Sequence, residues 1–292
     1  MKSRWLINLV LLVLVVALGT FVYMRPEQGE QEQSGYELST LKLASFSRLS
    51  IEFPAKASVA FEKIDGHWRI TQPYKARADQ VAVQRVLSII AAASADKFPA
   101  TDLERFGLDN PKLKLKMDNE TFLFGTINPV SGDQYVAYKD AVYLLPASYS
   151  ESASIQLVEF IDKSPIKPTE KIVGFDFSHL EQWEEIRLHV DLVDGKWKIS
   201  IANAKPNQNE MNEWLDVAWV HASANAVEPY TPDRGATLPG FEIKMKDGTK
   251  VHFDKLQESP ELLLGRSDEG LTYHFPADVG FGMLNPPINI SK

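Results

Sequence analysis

The chain contains no cysteine, which excludes disulfides, thiolate metal sites, a cysteine nucleophile and lipid attachment through an N-terminal cysteine. The fold must therefore be held by packing and hydrogen bonding alone. An excess of positive charge is also missing: 31 Lys and Arg stand against 39 Asp and Glu, for a net charge of −8 and a pI near 5.4. Nucleic-acid binding rests on clustered Lys and Arg that release phosphate counterions, and no basic patch occurs beyond the first few residues, so that class of partner is excluded. GxSxG and glycine-rich phosphate loops do not occur, which leaves a nucleophile-elbow hydrolase and nucleotide binding without support.

The six histidines, His67, His179, His189, His221, His252 and His274, show no HExxH or HxH spacing that would bring two onto one metal. Only His252 and His274 are placed to meet across strands. Adjacent carboxylates occur at Glu184 and Glu185 and at Asp268 and Glu269, in polar turns where solvated charge is the simpler reading than a general acid/base pair. No catalytic, cofactor-binding or metal-ligating residue is assigned, and no cofactor is expected.

What the chain does have is a long apolar run near its start. From Trp5 to Met24 only Asn8, Gly19 and Thr20 interrupt it, and a helix rising about 1.5 Å per residue crosses a hydrocarbon core of about 30 Å over that length. Lys2 and Arg4 precede the run, while Glu27, Glu30 and Glu32 follow Arg25, so the positive-inside rule puts the N-terminus in the cytoplasm. Residues 1–25 are expected to be a single-pass signal-anchor in a bacterial inner membrane, with the remainder periplasmic. The competing reading is a cleaved signal peptide, since Ala17-Leu18-Gly19 resembles a small-x-small cleavage site; against it, the apolar run continues through Phe21, Val22 and Tyr23. Residues 26–39 form a polar linker: Pro26 to Gly35 carries Glu, Gln and Gly with nothing apolar to bury.

The exported part reads as two related halves, 40–163 and 164–292. Gly66-His67-Trp68-Arg69-Ile70-Thr71 matches Gly195-Lys196-Trp197-Lys198-Ile199-Ser200, with the tryptophans 129 positions apart. A helix follows each. Asp79 offers the cap in the first half, with Val83, Val86, Leu87 and Ile90 on one face; Asn207 offers it in the second, with Met211, Trp214, Leu215 and Ala218 in the same spacing. Pro111 to Met117 then aligns with Pro239 to Met245 at an offset of 128, and the alternation of apolar and charged residues in both marks a strand with one face on a core. Asp118-Asn119 and Asp247-Gly248 supply hairpin turns. Further strand pairs are expected at Gln134 to Tyr138 with Val142 to Leu145, and at Glu261 to Leu264 with Thr272 to Phe275; Ala147 to Phe160 reads as helix, and Ser164 to Pro168 as a joint. The expected fold is α+β: an N-terminal transmembrane helix, then two tandem related units, each an antiparallel sheet packed on a helix.

Trp214 and Trp219, five apart, do not both fit the core stripe of a regular α-helix, so Trp219 or His221 is expected to face an interface. The row Lys112, Lys114, Lys116 reads as protection of an exposed sheet face rather than an anion site. Gly107-Leu108-Asp109-Asn110-Pro111 reads as a helix stop, a core plug and a turn.

Gly-x-Trp-x-Ile, the capped helix, Phe106-Gly107-Leu108-Asp109-Asn110-Pro111, Phe124-Gly125, Tyr135-Val136 and Val142-Tyr143 together resemble the DUF4340 family, a domain of unknown function. The resemblance covers Gly66 to Tyr149, and the second half only as a degenerate copy, with Arg234-Gly235-Ala236-Thr237-Leu238-Pro239 in place of the Gly-Leu-Asp-x-Pro segment. Members look like exported, membrane-anchored proteins, often encoded beside gliding-motility-type ABC transporter components. The resemblance thus implies an auxiliary role in an inner-membrane complex with a protein partner, and it brings no catalytic residue. The alternative expectation is an envelope enzyme, binding a ligand or hydrolysing glycan or lipid in a groove between the repeats.

Overall fold

A computed structural model describes residues 35–202, 204–232 and 238–288. The expected membrane helix at 1–25, most of the linker at 26–39 and the Arg234 to Thr237 stretch lie outside the described residues. Among the described residues no helix is long and apolar enough to cross a membrane.

The protein is α+β, with antiparallel sheets and few helices. In chain order the strands are β1 (Tyr36–Glu37), β2 (Arg48–Glu52), β3 (Val59–Ile64), β4 (His67–Gln72), β5 (Ala76–Arg77), β6 (Ala93–Ser94), β7 (Lys97–Pro99), β8 (Leu113–Met117), β9 (Glu120–Ile127), β10 (Gln134–Tyr138) and β11 (Ala141–Leu145). The second half continues with β12 (Ile172–Asp176), β13 (His189–Val193), β14 (Lys196–Ile199), β15 (Ala226–Pro229), β16 (Gly240–Met245), β17 (Lys250–Gln257), β18 (Glu261–Arg266) and β19 (Leu271–Pro276). Among the described residues four α-helices accompany them: α1 (Gln80–Leu87), α2 (Ser148–Ala153), α3 (Gln208–Leu215) and α4 (Ala277–Leu284). The stretch Ala147 to Phe160, expected as one helix, is broken into α2 and a 3-10 turn at Leu157–Phe160.

Two compact units account for the described chain. One holds 35–42, Ile89–Lys112 and Phe122–Ala147; the other holds Leu43–Ser88, Leu113–Thr121 and the chain from Ser148 onward. In the first, strands run in the order β9-β10-β11-β7, and Phe106, Leu108, Ala137 and Val142 form the core. Gly107 closes the 3-10 turn Glu104–Phe106 in the left-handed region, φ 65°, and Leu108 is buried behind it, as its local sequence requires. Gly125 passes so close to Phe106 that a Cβ there would sit 2.2 Å from the Phe106 carbonyl oxygen.

The second unit carries the strand order β5-β4-β3-β2-β8 and, separately, the sheet β14-β13-β12-β16-β17-β18-β19-β15. Asp65-Gly66 and Asp194-Gly195 turn the β3–β4 and β13–β14 hairpins with positive φ at both residues, the two-residue turn whose twist matches paired strands. On β8, Leu113, Leu115 and Met117 are buried, which leaves the lysines of that strand on the other face. Lys116 there pairs with Glu52 at 2.7 Å.

Beneath the eight-stranded sheet lies an aromatic cluster of Phe175, Phe177, Trp214, Trp219, Phe241 and Phe253, with ring centroids 4.8 to 6.5 Å apart. Such pairs contribute about 0.5–1.5 kcal/mol each beyond the area they bury. Of the two residues expected to face an interface, Trp219 or His221, Trp219 is fully buried and His221 is exposed. After α3 the chain widens into a π turn at Asp216–Val220, where His221 N–H bonds to Asp216 C=O five residues back. Five residues per closure put Trp214 and Trp219 on the same side, which a 3.6-residue turn does not. Leu215, expected in the core stripe, is half-buried.

The last four carbonyls of a helix have no partner within it. In α4 side chains take all four. Asn285 Nδ2 donates to Phe281 O at 2.8 Å, Trp214 Nε1 to Gly282 O at 2.7 Å, Trp219 Nε1 to Met283 O at 3.2 Å and Trp183 Nε1 to Leu284 O at 2.8 Å.

Candidate functional site

The caps inferred from sequence are in place and set the geometry of β4 and β14. Asp79 Oδ1 accepts from Val81 N–H at 2.8 Å and from Ala82 N–H at 2.9 Å, and Asn207 Oδ1 accepts from Asn209 N–H at 3.0 Å. The residue after each cap is glutamine. Gln80 Oε1 accepts from Trp68 N–H at 2.8 Å while its Nε2 donates to Trp68 O at 3.0 Å; Gln208 treats Trp197 in the same way, at 2.6 and 3.0 Å. Each glutamine also donates to the main chain two residues before it, at Ala78 O and Pro206 O.

Beside the Trp68 clamp lies a cluster of charged side chains. Arg77 on β5 is buried. It donates from Nη1 to Asp162 Oδ2 at 2.6 Å and from Nη2 to Ser164 O and, at 3.1 Å, to Tyr273 Oη. Its Nε lies 3.0 Å from Glu269 Oε1 but is not aligned on it, so the buried N–H lacks a hydrogen-bond acceptor. Arg266, at the end of β18, is wholly buried and donates to Glu170 at 2.5 and 3.0 Å, to Asp268 at 2.8 and 3.1 Å and to Pro165 O at 2.7 Å. Lys167 stands 3.4 to 3.5 Å from Glu170, Asp268 and Glu269, and Tyr273 Oη donates to Glu269 Oε2 at 2.6 Å.

The expectation of a solvated pair at Asp268 and Glu269 therefore fails for one member: Asp268 is 49% exposed, but Glu269 is only 7% exposed. Burying a carboxylate is costly unless it is paired, and Glu269 has a tyrosine hydroxyl, two arginines and a lysine around it. The charges are fixed in consequence. Burial works to raise the Glu170 carboxyl, but the Arg266 guanidinium and the Lys167 N–H outweigh it and hold the group below its ordinary value. Asp268 is depressed for the same reasons. Arg266 is raised in spite of burial by Glu170 and Asp268, and Tyr273 is raised by burial and by the Glu269 charge. Among the carboxyls of the cluster with a shifted value, Asp162 alone moves toward its neutral form, because burial outweighs Arg77.

Two cavities open against this cluster. One, of about 500 Å³, is lined by Arg69, Thr71, Lys75, Arg77, Lys167 and Glu269 among others. The other, of about 310 Å³, shares Arg69, Arg77 and Lys167 and reaches His67, Trp68 and Thr169.

The remaining sequence candidates do not converge. His252 on β17 and His274 on β19 are separated by β18; His252 Nε2 lies 3.1 Å from Asp254, and His274 near Glu228 and Glu261 at 3.8 Å. Glu184 and Glu185 are exposed, and among the described residues no group of His, Asp and Glu is placed to hold a metal. Arg77, Glu170 and Arg266 were missed in the sequence. A signal existed for the last: period-two counting along β18 puts Arg266 on the face of Leu262 and Leu264, both fully buried.

A family model described as a domain of unknown function, DUF4340, matches residues 68–234, more than half of the 292 residues. No curated protein and no solved structure matches the chain.

Proposed function

We propose, from the premise that the chain belongs to the DUF4340 family, that it is a membrane-anchored extracytoplasmic binding protein without catalysis of its own. It serves as an auxiliary component of an ABC-type transporter or another envelope complex. The observation that carries this reading is the state of the charge cluster. General acid/base catalysis needs a group whose pKa lies near the working pH, whereas Glu170 and Asp268 are pushed down and Arg266 and Tyr273 up, away from neutrality, and Asp162, the one carboxyl raised, is held by Arg77. Such a cluster joins segments of the fold rather than moving protons. The apolar run Trp5 to Met24 supports the anchor and, with its flanking charges, the periplasmic placement.

We further infer that the two halves arose by duplication. The order β4-β3-β2-β8 recurs as β14-β13-β12-β16, and β9-β10-β11-β7 as β17-β18-β19-β15. The tryptophan clamps of Gln80 and Gln208 recur atom for atom, the glutamines 128 and the tryptophans 129 positions apart. Two sheet-bearing copies on one anchor offer repeated surfaces to a partner. The competing reading, an envelope hydrolase, has less support, because Asp268 and Glu269, carboxylates lining the larger cavity, are both engaged by Arg266 and Lys167.

Purification of the full chain from its native membrane in mild detergent tests the proposal. Transporter subunits eluting with it in fixed ratio are the expected result. A lone monomer, with transporter subunits absent from the eluate, would overturn it.

A further inference from the structure

We propose that the cavity of about 500 Å³ over β4, β5 and the start of β19 binds a small organic phosphate, a phosphoryl group carried on an apolar body. The inference starts from an imbalance of donors and acceptors among the lining side chains. Arg69 and Lys75 are exposed there, and among the described residues neither has an ion-pair or hydrogen-bond partner. Arg77, buried in the wall, keeps one N–H without an acceptor. Buried polar groups in folded proteins are nearly always satisfied, so an orphaned donor marks a place where an acceptor from outside belongs.

On the acceptor side most of the capacity is spent. Glu269 receives the Tyr273 hydroxyl at 2.6 Å and faces Arg77, Lys167 and Arg266. Asp268 is taken by Arg266 and Lys167, and the Thr71 hydroxyl donates to Ala60 O. Glu62 alone remains a free carboxylate at the rim, opposite Arg69 in the β3–β4 register. Two free cations and an unfilled guanidinium N–H suit an oxygen-rich dianion better than a monocarboxylate, since a phosphoryl group offers three acceptors and two charges. Ile64, Ile70, Ala76 and Leu271 line the same cavity, and that apolar wall calls for more than inorganic phosphate. The volume lies within the range of small-ligand sites, about 300–1,000 Å³.

The test is calorimetric titration of the full chain, reconstituted in neutral phosphatidylcholine nanodiscs, with phenyl phosphate as the probe. The wild type should bind phenyl phosphate more tightly than inorganic phosphate or phenol. The Arg69→Gln/Lys75→Gln double variant, changed at two exposed positions, should lose about tenfold or more in affinity, the size expected when charge-assisted hydrogen bonds are removed. Glu62→Gln, which removes the opposing charge, should tighten binding a few-fold. Nanodiscs containing phosphatidic acid separate the sources: if they compete with phenyl phosphate the natural ligand is a lipid headgroup, and if they do not it is a free organic phosphate, either result upholding the site. Absence of phenyl phosphate binding by the wild type, equal binding by the double variant with an unchanged unfolding transition, or weaker binding by Glu62→Gln would each overturn the proposal.

Discussion

Gln208 holds Trp197 by both of its main-chain polar groups, accepting from the N–H at 2.6 Å and donating to the C=O at 3.0 Å. The carboxamide thereby stands where a neighbouring strand would be, and it closes that stretch of the β14 edge, beyond which no further strand pairs among the described residues. An open edge is a template for unwanted pairing; here a side chain covers part of it.

Gln208→Ala, and Gln80→Ala at the matching position, should each destabilise the fold by about 1–2 kcal/mol, the cost of leaving partly buried main-chain groups without their partners. Gln208→Glu keeps an acceptor for the Trp197 N–H but sets a carboxylate against the Trp197 carbonyl, and should be no better than alanine. Urea unfolding midpoints decide this; a glutamate variant as stable as the wild type would show that the Nε2 donor contributes nothing.

Arg266→Met should cost about 3–5 kcal/mol, because it leaves Glu170 and Asp268 without the buried guanidinium to which both are hydrogen-bonded. Adding Glu170→Gln to that variant should recover part of the loss, since one of the stranded charges is then gone. Chemical denaturation of the single and double variants measures both, and a double variant less stable than Arg266→Met would contradict the ion-pair account.

Stability should fall on the acid side. The Glu170 carboxyl is held below its ordinary value of 4.5 in the fold, so its contribution is fully present above that value and disappears as pH drops through the lower folded one. Glu170→Gln should flatten this limb of the stability profile below about pH 5. Asp162, raised by burial, runs in the opposite sense, so Asp162→Asn should steepen it. On the alkaline side the Tyr230 hydroxyl is pushed up to about 12 by burial and by the Asp254 carboxylate it donates to. Its contribution is present below its ordinary value of 10.0 and lost as pH rises through the folded one. Tyr230→Phe should remove that part of the alkaline decline in a thermal-shift series.

Trp219→Phe keeps an aromatic ring in the cluster but removes the donor to Met283 O and leaves a small void. A loss of about 2–3 kcal/mol is expected from the cavity and the missing bond together. Hydrogen exchange should rise first in the amides of α4, ahead of the strands, and unchanged protection there would mean the indole does not hold the helix.

Much of the local structure is legible in the residues. Asp79 and Asn207 cap as their side chains dictate, Asp118 and Gly248 take the positive φ that their expected hairpin turns need, and Leu113, Leu115 and Met117 alternate inward as period two demands. Each of these depends on a few consecutive residues. The charge cluster does not: Arg77 meets Asp162 at a separation of 85 positions and Tyr273 at 196, and no spacing rule reaches across such distances. Trp219 was misread for a different reason. Helical periodicity assumes one turn geometry throughout, and the π turn at Asp216–Val220 changes the period where the second tryptophan falls.

The four side chains that meet the end of α4 set an order of events for a chain made from its N-terminus. Trp183, Trp214 and Trp219 emerge long before the carbonyls of Gly282, Met283 and Leu284 that receive their protons. Until those residues arrive the indoles must wait, hydrated or misbonded, and the second sheet stays unlatched. A nascent chain halted at Pro276 would carry every strand of the described residues and still lack its clasp.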